Sequence, residues 1–229
     1  MLIEIFSIWL TLLTIGFTAM PTFMVLDWKK RGTADGFSSV TLVLPMMVQT
    51  FWLRYASMTD NQIFVIINVI SLTFYSFYVS AFAYYQPKRQ NLIGQILAVV
   101  TVTKLVFVYV DTFDEGSINE AMGTMAAGAQ IFNLFGGVYE IKRAITMKTT
   151  EYIPARIQFA VFALIFQWTI FAVIQGEKFL LISNMAALLV NVITLSLYFF
   201  YPPLTWTVPI FNIPPQQKTV EKGMDKKED

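Results

Sequence analysis

Residues 51–68 read FWLRYASMTDNQIFVIIN, and residues 167–184 read QWTIFAVIQGEKFLLISN. The second stretch begins 116 positions after the first, and that shift lays Trp52 on Trp168, Ala56 on Ala172 and Asn68 on Asn184. Beyond these windows it also lays Thr33 on Thr149 and Tyr85 on Tyr201. A scarce tryptophan sixteen residues ahead of a polar asparagine, twice at one offset, argues for an internal repeat over a chance match in a biased composition.

Both copies sit in a chain that suits lipid. Of 229 residues, 56% are hydrophobic and 14% charged, with mean hydropathy +0.59. Soluble domains run at about 45–50% apolar and about 25% charged. A helix needs roughly 20 apolar residues to cross a hydrocarbon core. Seven stretches qualify: 5–26, 37–53, 63–85, 92–110, 121–138, 157–174 and 179–201. The second and fifth are the weakest, being short and carrying hydroxyl or amide groups. All are too long for barrel strands, which end after about 10 residues. The first lacks a basic n-region and a small-residue cleavage site, so it is expected to be retained.

Seven spans with a repeat of three divide as 3+1+3. The predicted fold is an all-α integral membrane protein, with two parallel three-helix repeats at 1–86 and 121–202. Residues 87–120 form a linker helix and an acidic loop, and 203–229 a polar cytoplasmic tail predicted to be disordered. Lys29, Lys30, Arg31, Lys88, Arg89, Lys142, Arg143, Lys148, Arg156, Lys218, Lys222, Lys226 and Lys227 all fall on one side of these spans. The opposite links hold only Arg54 and Lys178, beside the acidic Asp111, Asp114, Glu115 and Glu120. The bias of basic loops toward the cytoplasm then puts the N-terminus outside, extracellular or lumenal, and the C-terminus inside. Parallel repeats about an axis along the membrane normal are a transporter architecture, with substrate held near the midplane between them.

Absences narrow the chemistry. Without histidine or cysteine there is no usual general base, thiol nucleophile or thiolate metal site. A net charge of +1 gives no basic face for nucleic acid. No enzyme activity, cofactor or metal is expected.

Asn68 and Asn184 fall inside spans three and seven, where an unpaired carboxamide costs a few kcal/mol. Singly, each reads as an interhelical hydrogen bond; as a symmetric pair they offer uncharged donors and acceptors to a neutral polyol. Trp52 and Trp168, near the outer ends of spans two and six, suit either an interfacial belt or a pair of flat faces around a sugar ring. Pro21 and Pro45 remove helical hydrogen bonds within spans one and two, and Gly137 stands 116 residues after Pro21, beside Gly136. Lys104 is the one ionisable group deep in a span, read as a snorkelling or structurally paired lysine. No carboxylate lies mid-span to relay a proton, so facilitated diffusion is expected.

These residues resemble the SWEET (MtN3/saliva) family of sugar facilitators across about 5–202. The first repeat carries it in Pro21-Thr22-Phe23, Gly36-Phe37-Ser38-Ser39, Trp52 and Asn68; the second in Met147-Lys148-Thr149-Thr150-Glu151-Tyr152, Pro154, Trp168 and Ser183-Asn184. Tyr85/Pro87 and Tyr201/Pro202 close the two copies. The resemblance implies a central sugar site of Asn68, Asn184, Trp52 and Trp168, and alternating access by rocking of two triple-helix bundles. It implies a tetrad of hinge prolines, met by Pro21 and Pro154; the other two positions hold Thr41, one turn before Pro45, and Gly137. By offset it adds Val48, Phe132 and Leu164 as pocket positions, whose bulk favours monosaccharides over disaccharides. The implied partners are a glucose-like mono- or disaccharide and the lipid bilayer, with homo-oligomer formation left open. The implied location is a multi-pass protein of the plasma membrane or Golgi. A retinal protein or receptor would need a mid-span lysine in span seven or would leave the repeat unexplained. A proton-coupled PQ-loop amino-acid carrier would show Pro-Gln at helix bends, whereas Pro215-Gln216 lies in the tail.

Overall fold

The structure, a computed structural model, describes residues 2–216. Among them are nine helical segments: α1 (Leu2–Ala19), α2 (Thr22–Arg31), α3 (Val40–Met58), α4 (Gln62–Tyr85), α5 (Gln90–Val110), α6 (Ile118–Asn133), α7 (Phe135–Met147), α8 (Ala155–Gln175) and α9 (Lys178–Phe200). They make seven rods, because the first is interrupted between α1 and α2 and the fifth between α6 and α7. Pro21 explains the first break: it has no N–H to continue the α1 ladder, and α2 restarts at Thr22. The second break falls at Leu134, three residues before Gly137, which sits inside α7. Pro45 lies within an unbroken α3, where its missing N–H leaves the Thr41 carbonyl without a helical donor. Pro154 immediately precedes α8.

Five rods are long and apolar enough to cross a membrane by themselves: Leu2–Arg31, α4, α5, α8 and α9. The other two, α3 and α6–α7, are the second and fifth, and burial accounts for α3. It packs on α4, α5 and α6, burying Leu42, Val43, Met47, Val48, Phe51, Trp52, Tyr55 and Ala56. A helix walled off from lipid by its neighbours does not need a wholly apolar surface. The linker α5 shows the opposite pattern: only Leu92 and Val110 are buried, and Ile93, Leu97, Val100, Leu105 and Val108 are exposed, a surface solvated by hydrocarbon.

The chain forms two compact units, one from the N-terminus to Phe135 with Ala163–Leu188, the other Gly136–Phe162 with the described residues from Leu189 onward. The repeat is visible inside each. In the first unit Ala34 N–H donates to Tyr85 O at 3.2 Å; in the second Thr150 N–H donates to Tyr201 O at 3.0 Å. Asp35 N–H donates to Thr33 Oγ1 at 3.1 Å, as Glu151 N–H does to Thr149 Oγ1 at 3.2 Å. All of these pairs are related by the 116-residue shift.

In the second unit the chain after α9 departs from the expected disordered tail. Residues 203–216 fold back and are ordered. The Glu151 carboxylate accepts from Leu204 N at 2.6 Å, Thr205 N at 3.1 Å and the Thr205 hydroxyl. Trp206 Nε1 donates to Glu151 O at 3.3 Å, and Gln216 Nε2 to Lys148 O at 2.8 Å. Val208, bridged to Ile213, is buried with Ala144, Ile153, Ala155, Leu197 and Tyr198. Trp206, Val208 and Ile213 are the apolar anchors that a polar-tail reading overlooked. The remainder of that tail, 217–229, lies outside the described residues.

The Thr205 hydroxyl does most to hold the Glu151 carboxyl below the usual carboxylate range; some desolvation opposes it and two backbone amides add to it. Because the folded value is depressed, the clasp is fully present above the ordinary glutamate value of about 4.3 and is lost as pH falls through the folded one. In detergent-solubilised protein, the Leu204 and Thr205 amide resonances should titrate below that ordinary value. Glu151→Gln should speed their hydrogen exchange while leaving α4 unaffected; unchanged exchange in the variant would exclude the clasp.

Candidate functional site

In the first unit a cavity of about 150 Å³ is lined by Thr14, Gln49, Trp52, Phe64, Ile67, Asn68, Gln130, Trp168, Leu180 and Asn184. The helices that supply them are α1, α3, α4, α6, α8 and α9. Four pairs among the ten are related by the repeat shift: Thr14 with Gln130, Trp52 with Trp168, Phe64 with Leu180, and Asn68 with Asn184. Sequence reading anticipated the tryptophans and asparagines. It missed Thr14 and Gln130, although the same shift relates them, because it tests for identity and their residue types differ.

The polar groups are arranged unequally. Asn68 Nδ2 donates to Phe64 O on its own helix at 2.7 Å. Asn184 is 5% exposed, and its Nδ2 has no hydrogen-bond partner among the described residues. A buried amide N–H without an acceptor costs about 1–3 kcal/mol, which an incoming hydroxyl would recover. The indoles are satisfied from the opposite repeat: Trp52 Nε1 donates to Gln130 Oε1 at 2.7 Å, and Trp168 Nε1 to Thr14 Oγ1 at 3.0 Å. None of the ten lining side chains is charged.

Aromatic rings pack on one another at the end of the cavity nearest the α3–α4 and α8–α9 links. Trp52 meets Tyr55 edge-on at 5.7 Å and 80°, and Trp168 meets Phe171 at 5.5 Å and 83°; Tyr55 and Phe171 are again repeat partners. Phe64 packs on Phe171 at 6.0 Å and Phe179 on Tyr55 at 5.8 Å. The Tyr55 hydroxyl donates to Glu177 Oε2 at 3.0 Å. Further out, Arg54 pairs with Asp111 and lies over the Phe107 ring, and Lys178 Nζ is 2.6 Å from Glu120 Oε1.

Val48, Phe132 and Leu164 are not among the lining residues. Val48 is buried in the core of this unit, with Leu164 packed against it, and Phe132 is exposed with its ring on Phe135. Pro21, Pro45, Gly137 and Pro154 also lie off the cavity; a Cβ on Gly137 would come 3.0 Å from Val190 Cγ1.

The family described as sugar efflux transporters for intercellular exchange, MtN3/saliva, matches residues 4–90 and again 120–205, one match per repeat. The chain belongs to the SWEET family. Its relatives are transporters and not enzymes. It is similar to the sugar transporter SWEET1 of Drosophila pseudoobscura pseudoobscura, 22% identical over 78% of this chain and 80% of the relative. It is similar to the bidirectional sugar transporter SWEET17 of Arabidopsis thaliana, 24% identical over 76% of each. SWEET1 of Dictyostelium discoideum is 24% identical over 84% of this chain and 90% of its own. A solved eukaryotic SWEET transporter superposes with a TM-score of 0.75 over 88% of this chain and 99% of that one, at 17% identity. The fold is thus the seven-helix 3+1+3 arrangement expected from the repeat, and the protein is a membrane protein.

Two outcomes follow from the ring packing at this end of the SWEET cavity. Because the natural chain has no cysteine, a single Leu180→Cys variant gives a clean probe. Removing the Glu177 contact by Tyr55→Phe should speed labelling of that cysteine by an impermeant thiol reagent, read by mass shift. In α6, a Cβ on Gly123 would run into the Phe179 ring. Gly123→Ala should therefore destabilise the protein by about 1–3 kcal/mol, seen as a lower thermal midpoint in detergent.

Proposed function

We propose that this protein is a facilitative, bidirectional sugar uniporter working by alternating access, with the sugar bound in the cavity between Asn68, Asn184, Trp52 and Trp168. The observation that carries the reading is the cavity lining. Two buried amides and two indole rings, paired by the repeat and free of charge, match a neutral ring with hydroxyls at its rim and C–H groups on its faces. The relatives named as sugar transporters, one of them bidirectional, agree with it. No lining residue titrates near neutrality, so the cavity itself offers no group to couple sugar to a proton.

At about 150 Å³ the cavity lies below the roughly 300–1,000 Å³ of sites for drug-sized ligands. That favours one pyranose over two, so glucose or fructose is the proposed substrate ahead of sucrose. The rings of Tyr55, Phe171 and Phe179 act as the outer gate, with Pro21, Pro45, Gly137 and Pro154 as the points where helices give during rocking. Val48, Phe132 and Leu164 line the path on the other side, reached when the cavity opens inward. The proposed setting is the plasma membrane or Golgi, N-terminus outside and C-terminus in the cytoplasm, following the basic links.

The test is uptake of labelled glucose, fructose and sucrose in a transport-deficient host. Monosaccharide uptake should exceed sucrose uptake and persist when the proton gradient is dissipated. Asn68→Ala and Asn184→Ala should each lower uptake about tenfold or more, since each leaves a sugar hydroxyl unpaired in a desolvated site. Uptake that survives both substitutions, or collapses with the gradient, would sink the proposal.

A further inference from the structure

Each indole in the cavity is held by the other repeat. Trp52 of the first repeat reaches Gln130 in α6, and Trp168 of the second reaches Thr14 in α1, at 2.7 Å and 3.0 Å. The two acceptors occupy the same repeat position, so the pair of bonds forms a crossed brace around the cavity. Thr14 is fixed in turn, its hydroxyl donating to Leu10 O at 2.8 Å. An indole has one N–H and no acceptor. Once that donor is taken, the side chain has no hydrogen bond left for a ligand hydroxyl and offers only its ring. The Trp52–Tyr55 and Trp168–Phe171 contacts, both near perpendicular, restrict each ring from a second side.

We infer that Gln130 and Thr14 are positioning residues for the sugar, setting the tryptophan rings through their N–H groups, and that Gln130 also sets the cavity width on its side. The inference rests on the sugar-transport reading above. The second part follows from the inequality of the pair. Thr14 shows that a hydroxyl on a short side chain reaches the indole from this register. The longer glutamine at 130 is therefore not required for the bond, and its extra atoms occupy space that the Thr14 side leaves free.

That inequality supplies a test in which bond and volume separate. Gln130→Thr and Gln130→Val give side chains of nearly equal size, only one of which can accept from Trp52. Uptake kinetics are measured for whichever of labelled glucose, fructose and sucrose the wild type carries best. Gln130→Val and Thr14→Val should each raise KM about three- to tenfold with little change in maximal rate, as for one lost hydrogen bond, while Gln130→Thr stays within about twofold. Gln130→Thr should also raise sucrose uptake relative to the monosaccharide. In protein carrying 5-fluorotryptophan, the Trp52 ¹⁹F resonance, assigned through Trp52→Phe, should move in Gln130→Val more than in Gln130→Thr. Equal KM values for the Val and Thr variants, or a Trp52 resonance indifferent to the loss of the acceptor, would overturn the brace. A wild-type chain that carries none of the three sugars would overturn the transport reading itself, whereas wild-type uptake with an unchanged KM in Gln130→Val overturns only the brace.

Discussion

A polar group that leaves water for the interior of a membrane protein must find its partner inside the chain, and the cavity is organised by that demand. Two indole N–H groups and four carboxamides, those of Gln49, Asn68, Gln130 and Asn184, stand within one unit, without a charge among the residues that line their space. The indoles are answered by Gln130 and Thr14, and Asn68 by its own helix. Among the described residues that line the cavity, the Asn184 Nδ2 is the fully buried donor left without a partner. A site with every donor satisfied would have little to offer a ligand, and one with many unsatisfied would be too costly to fold. One buried orphan amide beside hydrogen-bonded indoles lies between those limits.

The duplicated chain meets this demand with one design used twice. The matched loop bonds at Ala34–Tyr85 and Thr150–Tyr201, and the matched perpendicular pairs at Trp52–Tyr55 and Trp168–Phe171, show that equivalent residues keep equivalent geometry where the side chains themselves differ. This is why an offset found from five identities could lay out the fold. Hydropathy gave the rods, and the repeat grouped them as three, one and three.

What stayed hidden has specific causes. Thr14 and Gln130 share a position and a task, but a search for identical residues passes over a threonine facing a glutamine. Hydropathy could not reveal that α3 is shielded, since Gln49 and Arg54 lower its apolar score for reasons that only packing explains. Residues 203–216 looked like tail because a few apolar anchors, Trp206, Val208 and Ile213, are spread thinly among prolines. Their partners, Lys148 and Glu151, lie more than fifty residues earlier. The helix breaks were half legible: Pro21 marks the first by its missing N–H, whereas the second falls at Leu134, ahead of the Gly136-Gly137 pair that drew attention.

The two copies differ in the ties that their equivalent residues make. Tyr55 reaches Glu177 through its hydroxyl, but its repeat partner Phe171 has none to offer. Glu151 is clasped by the returning chain, but its repeat partner Asp35 is followed through α4 and Tyr85 by a chain that leaves for α5. Because the repeats are parallel about an axis along the membrane normal, even a perfect duplication would leave the two membrane faces different. Ties present in one copy and lacking in the other make some contacts harder to break than their counterparts, at the Tyr55 ring and at the Lys148–Glu151 loop. The same holds in the cavity, where Gln130 stands at the position of Thr14 and Leu180 at that of Phe64, so a duplicated frame carries unequal linings.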